Sequence, residues 1–105
     1  MCGNEIYKEI YSPDKSLKAV IFSRNCGATT DYGTQVSILD HNEKLKNMKG
    51  DVFNTDGHAK NSAPIIKWIN NNQLNIRQRP NKQIYLAENE WGWFDTVKIT
   101  YNSKN

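Results

Sequence analysis

The chain of 105 residues lacks any long hydrophobic run. Its longest unbroken apolar stretch is residues 19–22, far short of the roughly 20 residues that a membrane-spanning helix needs. The residues around Met1 also lack the basic and apolar regions of a secretory signal. If Met1 is the true start of the protein, we expect no membrane association and a cytoplasmic location.

Cysteine and histidine are scarce, and their spacing matches no familiar metal site. Cys2 and Cys26 show none of the C-x-x-C spacing of zinc sites or redox motifs. His41 and His58 lie in polar stretches without neighbouring cysteines or a second His at ligand spacing. We therefore expect no metal and no cofactor. A cytoplasm would keep both thiols reduced, whereas an oxidising compartment would allow a disulfide between them.

A convincing arrangement of catalytic groups is also missing. The amides of the Gly- and Thr-rich stretch after Cys26 could stabilise a thiolate, but a small buried residue that anchors a loop is the more ordinary interpretation. Glu88 and Glu90 would share one face of a strand, which is more typical of a solubilising edge. His58 beside Asp56 is typical of a solvated loop. We expect that the protein is not an enzyme.

The stretch from residue 17 to residue 39 contains two strand-like runs joined by a loop. Residues 17–24 are rich in β-branched and aromatic side chains, which favour a buried strand. Residues 34–40 alternate between apolar and polar side chains, so we expect a second strand that pairs antiparallel with the first. The loop at residues 26–33 is poor in charge, and we expect it to fold onto the sheet.

Further strand-like segments are separated by turn signals. Residues 5–11 fit a sheet edge and a hairpin with residues 17–24, and Asn71-Asn72 predicts a second hairpin. Residues 41–50 fit a helical turn or a loop. The remaining predicted strands are residues 51–54, 63–70, 73–79, 83–88 and 94–101. The spacing predicts one domain, residues 1–105, with an all-β fold: an antiparallel sandwich or open barrel of about seven to eight strands and little or no helix.

The net charge is +3, but acidic and basic residues are unevenly distributed. Residues 25–43 contain no Lys or Arg and carry three carboxylates, and residues 83–97 contain none and carry three more. Residues 44–82 hold eight Lys or Arg residues against two Asp. This distribution predicts two faces of opposite sign.

The most distinctive short stretch is the acidic and aromatic window at residues 88–95. Tryptophan anchors are enriched at protein interfaces, and neighbouring carboxylates attract and orient a basic partner. We expect partner binding here, with a second patch at residues 31–32. The alternative is that the two tryptophans only cap the open end of the sheet. The predicted binding residues are Glu88, Glu90, Trp91, Trp93, Asp95, Asp31 and Tyr32.

Direct nucleic-acid binding is the weaker interpretation of the basic segment. Small β barrels bind single strands through basic grooves with stacking aromatic residues. Trp68 falls in an otherwise apolar run, so the interleaving that such grooves need is missing. The basic residues nearest to it are Lys67, Arg77, Arg79 and Lys82. We expect no direct contact with nucleic acid.

Several short motifs along the chain resemble those of a group of short bacterial β-rich domains. The pattern of that group is SPDG, then R-x-CGATT, QVSIL, GNVF and a hairpin that runs from Trp to L-x-I. Lys15 stands here in place of the usual Gly, and Asp51 in place of the usual Asn. The matching segments are residues 12–15, 24–30, 35–39, 50–53 and 68–76. Some relatives resemble lipoproteins, and most have no described activity.

A stand-alone domain of this size is also similar to the immunity proteins of contact-dependent growth-inhibition systems. Those small cytoplasmic proteins cover the active site of a toxin domain, often a nuclease. The resemblance implies a monomer that neutralises a cognate toxin domain, with an RNase as the favoured activity, in a 1:1 complex. The alternative is an envelope domain of unknown role, periplasmic and tethered to lipid through Cys2, because Cys-Gly-Asn also resembles the start of a mature lipoprotein.

Overall fold

The computed structural model describes residues 2–27 and 32–103, and nearly all of its regular structure is β-strand. This part of the chain contains nine strands and one short helix. They are β1 Gly3–Tyr11, β2 Leu17–Asn25, β3 Gly33–Asp40, β4 Phe53–Asp56, α1 Ala59–Ser62, β5 Ile65–Asn70, β6 Gln73–Gln78, β7 Ile84–Ala87, β8 Glu90–Trp91 and β9 Val97–Ser103. The predicted all-β fold is confirmed.

The strands form two sheets that share one core. The first sheet has the order β1-β2-β3-β4-β7 and is antiparallel throughout. As predicted, β1 is an edge strand in a hairpin with β2, and β3 pairs antiparallel with β2. The second sheet has the order β5-β6-β9-β8, and β5 and β6 form the predicted second hairpin.

One pair of strands departs from the antiparallel expectation. β6 and β9 run parallel, with Leu74 opposite Ile99. Between them the chain adds β7 to the first sheet and then returns through β8. A parallel pair requires such a long connection, whereas the sequence pattern shows only where strands lie and not in which direction they run.

The core lies between the two sheets and follows the alternation of side chains along the strands. Trp68 is 8% exposed, and its Nε1 donates to the carbonyl of Ile10 at 2.9 Å, so the edge strands β5 and β1 of the two sheets are joined. Leu74 and Ile76 face inward with Trp68. The other buried core residues on the strands are Ala19, Ile21, Val36, Ile38, Phe53, Val97 and Ile99.

The first sheet is also covered on its outer face. Val20 and Phe22 alternate along β2 with the residues that belong to the core, so their side chains point to the outer face of the sheet. Both side chains are nevertheless fully buried. A loop at residues 41–50 is bonded to this face, where Gly50 N donates to Gln35 Oε1 at 2.6 Å. Of the two interpretations of residues 41–50, the loop is correct.

Two strands, β4 and β9, begin and end later in the sequence than expected. β4 begins at Phe53 rather than at Asp51 and continues to Asp56, into residues expected to form a loop. The last strand begins at Val97, because residues 92–96 lie outside any strand. Each of these strands starts where its backbone first pairs with a neighbouring strand. The alternation of side chains in the sequence does not indicate that position.

The short helix α1 occupies part of the segment that was expected to be a loop. His58 is its N-cap, and His58 Nδ1 accepts a hydrogen bond from Lys60 N at 3.2 Å. Ala59 N donates to Ser23 Oγ at 3.0 Å, which attaches the helix to β2. Within the described residues, no helix has the length and apolar character needed to cross a membrane.

Cys2 and Cys26 form a disulfide. It joins the start of β1 to the residue after β2, beside the pair Gly3 and Asn25. The structure thus contains the disulfide rather than the reduced thiols expected for a cytoplasmic protein. Of the loop at residues 26–33, which was expected to fold onto the sheet, residues 28–31 lie outside the described residues.

Candidate partner-binding groove

Turns from both sheets meet at one end of the sandwich and enclose a groove with a volume of about 1090 Å³. We call it the acidic groove. It is lined by Asp14, Ser16, Leu17, Asp40, Asp51, Asn70, Asn71, Asn72, Glu88, Glu90, Trp91, Gly92, Trp93, Phe94 and Asp95. The five predicted binding residues of the window at residues 88–95 all lie in this groove.

The acidic groove has a single sign of charge. Six of the eleven carboxylate residues of the chain line it, and no Lys or Arg within residues 2–27 and 32–103 does. Asp40 comes from the first cation-free window of the sequence and Glu88 from the second, so the fold brings both windows to one place. Clefts lined by one sign of charge concentrate the field and speed the approach of oppositely charged partners.

Trp91 forms the base of the groove rather than its exposed rim. Its side chain is half-buried and packs against the core, and its Nε1 donates to Asp51 Oδ2 at 3.2 Å. Burial raises the pKa of Asp51 above its ordinary value, against the opposing effect of the hydrogen bonds from Trp91 and Ile38. Of the two interpretations of the tryptophans, a cap at the end of the sheet describes the position of Trp91, which packs against the core.

Trp93 and Phe94 form the exposed rim, and we call this pair the aromatic tip. Their exposed fractions are 94% and 95%. Gly92 allows the chain to turn outward before the tip, with φ of 100°. Large apolar residues exposed side by side next to a cleft mark an interaction site. Sequence reasoning missed Phe94, because it was assigned to the start of the last strand.

The backbone of Glu88 is held from two sides. Glu88 N donates to the carbonyl of Val52 at 2.8 Å, and Tyr101 Oη donates to the carbonyl of Glu88 at 2.6 Å. Burial, together with the nearby charge of Glu88, raises the pKa of Tyr101 to about 12. Tyr101 therefore keeps its proton at neutral pH, and the exposed Glu88 side chain extends from a fixed backbone.

Two turns are joined at the other side of the groove. Asp14 N, in the β1–β2 turn, donates to Asn71 Oδ1 in the β5–β6 turn at 2.9 Å. The Asp14 carboxylate accepts hydrogen bonds from the backbone and hydroxyl of Ser16 and from the hydroxyl of Ser12, and these lower the pKa of Asp14. Lys15 adopts a φ of 61° in this turn, at the position where the resembled motif has Gly.

Glu90 lies on the outer side of the groove. In the β8–β9 ladder Glu90 stands opposite Lys98, and Trp91 stands opposite the buried Val97. Successive side chains of a strand alternate between faces, so Glu90 points away from the core that Trp91 joins. Lys98 is the cation closest to this rim in the ladder, but it does not line the acidic groove.

No protein-family model matches the chain, and neither a curated protein nor a solved structure matches it.

Tyr32 does not belong to the acidic groove. The groove residues Leu17 and Asp40 pair at one end of the β2–β3 ladder, and Tyr32 precedes Gly33 at the other end. Seven steps of about 3.3 Å along a strand separate the two ends by roughly 23 Å. The Tyr32 ring instead contacts the His58 ring, with centroids 4.7 Å apart. Asp31, the other residue of the predicted second patch, lies outside the described residues.

The remaining candidate reactive groups have structural partners. The sulfur of Cys26 is bonded to Cys2, and His58 Nδ1 accepts the helix-capping hydrogen bond. His58 Nε2 lies 3.9 Å from Glu5 Oε1. In the described part of the chain, no group of three or more His, Cys, Asp or Glu side chains is arranged to hold a metal ion.

Proposed function

We propose that this protein is an immunity protein, which binds a cationic toxin domain through the acidic groove and blocks its active site. The observation that supports the proposal is the meeting of six carboxylates with an exposed Trp-Phe pair in one groove. Carboxylates attract and orient a basic partner, and tryptophan is enriched among the few residues that supply most of the binding energy at protein interfaces.

A nuclease is the toxin class that fits this surface best. Proteins that bind nucleic acids hold the phosphates mainly with Lys and Arg, so the substrate-binding face of a nuclease is basic. The exposed carboxylates of Glu88, Glu90 and Asp95 would take the positions of phosphates on that face. An RNase is the activity that we would test first.

A membrane surface is a poorer match for the aromatic tip. Trp and Phe side chains do insert at lipid interfaces, but loops that do so on bacterial membranes carry basic residues beside them. Here Glu90 and Asp95 flank the tip, and anionic lipids would repel them. A basic protein surface satisfies both the apolar and the acidic parts of the groove.

The disulfide favours a second candidate, a β domain of the cell envelope. Disulfides form and persist in oxidising compartments such as the periplasm. A lipid tether at Cys2 would compete with the disulfide, because one sulfur atom cannot carry both a thioether-linked lipid and a disulfide bond. Intact mass spectrometry of the protein from its native cells tests the tether. A lipid mass on Cys2 supports a tethered domain, and an oxidised, lipid-free chain excludes the tether and supports an untethered domain in an oxidising compartment.

The test of the immunity proposal is inhibition of a toxin domain encoded beside the gene. We would titrate the toxin's RNase activity with the wild type, with a groove variant (Glu88→Lys, Glu90→Lys) and with a control of equal charge change (Glu5→Lys, Glu43→Lys). We expect the groove variant to lose roughly 100-fold in affinity and the control to lose little. Full inhibition by the groove variant, or no inhibition by the wild type, would overturn the proposal.

A further inference from the structure

We propose that the partner segment in the acidic groove carries arginine, and that its guanidinium stacks on the Trp93 indole while neighbouring carboxylates bind its N–H groups. This inference rests on the proposed function for the choice of the groove. It goes further because it names the side chain that the groove selects.

The groove carboxylates fall into two sets. Asp14 and Asp51 are engaged within the protein, Asp14 by its turn and Asp51 by the Trp91 indole. The carboxylates of Asp40, Glu88, Glu90 and Asp95 make no hydrogen bond or ion pair with another described residue. These four are therefore available to a partner, and the last three lie within the same short segment as the aromatic tip.

The position of Trp93 favours a flat cation. Trp93 is 94% exposed, so almost none of its surface is used inside the protein. A guanidinium is planar, is weakly hydrated and stacks on aromatic faces, and Trp is the best aromatic partner for a cation. A lysine ammonium is more strongly hydrated and gains less from such a face.

The acids beside Trp93 favour the same side chain. Glu90 precedes Trp93 by three residues, and Asp95 follows it by two. An arginine can donate two parallel N–H bonds to one carboxylate while its plane contacts a ring, whereas lysine donates as a point charge. The groove volume of about 1090 Å³ accommodates a peptide segment, so a peptide is a suitable probe.

The test compares two synthetic peptides of equal length and charge, one alternating Gly with Arg and the other alternating Gly with Lys. Binding to the purified, oxidised protein is measured by calorimetry at fixed ionic strength. We expect the Arg peptide to bind the wild type roughly two- to fivefold more tightly than the Lys peptide. Trp93→Leu should remove this ratio, and Tyr85→Leu, which removes an exposed aromatic ring outside the groove, should keep it. Glu88→Gln with Glu90→Gln should weaken both peptides by similar factors.

Equal affinity for the two peptides, or an Arg preference that survives Trp93→Leu, would overturn the inference. Binding of the wild type to zwitterionic vesicles with no binding of either peptide would overturn it as well. The two proposals fail separately: an Arg preference in a protein that inhibits no toxin contradicts only the immunity proposal. Inhibition of a toxin without any Arg preference contradicts only this inference.

Discussion

The indole Nε1 of Trp91 donates to Asp51 Oδ2 at 3.2 Å and thereby joins the two sheets at the base of the acidic groove. Trp91 belongs to β8 in the second sheet, and Asp51 lies just before β4 in the first. Asp51 Oδ1 also accepts from Ile38 N at 3.3 Å. The shape of the groove therefore depends on a carboxylate whose two oxygens are both occupied within the protein.

Replacing Asp51 should destabilise the fold. Asp51→Ala leaves the Trp91 indole and the Ile38 amide without their acceptor, so we expect the free energy of unfolding to fall by about 1–2 kcal/mol. Urea unfolding followed by tryptophan fluorescence measures this. Asp40→Ala removes another groove carboxylate without such partners and serves as the control. Equal losses of unfolding free energy in the two variants would mean that the hydrogen bond from Trp91 to Asp51 does not stabilise the fold.

Tyr101 should make the protein sensitive to alkali. Its pKa is raised to about 12, whereas a tyrosine in the unfolded chain ionises near its ordinary pKa of 10.0. Between these values the folded state binds more protons than the unfolded state, so stability falls as pH rises through this window. We expect Tyr101→Phe to show a flatter pH dependence there in urea unfolding series. Parallel curves for the two proteins would contradict the assignment.

The turn at Lys15 should accept glycine with a gain in stability. Lys15 adopts a φ of 61°, which costs an L-residue other than Gly roughly 1 kcal/mol. Lys15→Gly removes this strain but adds freedom to the unfolded chain, and we expect a net gain of about 0.5 kcal/mol. Lys15→Ala removes the same charge and keeps the strain. If the Ala variant gains as much as the Gly variant, charge rather than backbone strain is the cause.

Reduction of the disulfide should lower the free energy of unfolding without lowering the affinity of the acidic groove for the Arg peptide. Cys2 and Cys26 are 24 residues apart in sequence, and closing a loop of this length contributes about 3 kcal/mol. We expect dithiothreitol to lower the urea midpoint of the wild type and to leave a Cys2→Ser, Cys26→Ser variant unchanged. Arg-peptide binding at low urea should be the same in both redox states, because the disulfide lies at the other end of the sandwich. A large loss of peptide binding on reduction would mean that the two ends are coupled.

Much of the first sheet could be predicted, because its strands follow one another as hairpins. The apolar run in β2 indicates a buried strand, and the alternation in β3 indicates a neighbouring strand that pairs with it. The turn between β1 and β2 places these two strands side by side in a hairpin. The parallel pairing of β6 with β9 could not be predicted. The connection between these strands passes through β7 and β8, and local sequence patterns do not indicate the path of such a connection.

Only the part of the acidic groove whose residues are contiguous in sequence could be predicted. The cluster from Glu88 to Asp95 is visible as a cation-free aromatic window, but the contributions of Asp14, Asp40 and Asp51 arise from turns that meet only after folding. Trp91 and Trp93 look alike in the sequence. The β8–β9 ladder separates them, because it turns Trp91 toward the core and leaves Trp93 beyond the last paired residue.

Hydrogen–deuterium exchange of the protein, free and in complex with its cognate toxin domain, tests the central claim most directly. We predict that binding slows exchange in residues 88–96 and in the turns at residues 13–17 and 70–72, and leaves the disulfide end near Tyr32 unchanged. Protection confined to the Tyr32 end, or to the outer face of the β5–β6 hairpin, would contradict the assignment of the acidic groove as the binding surface.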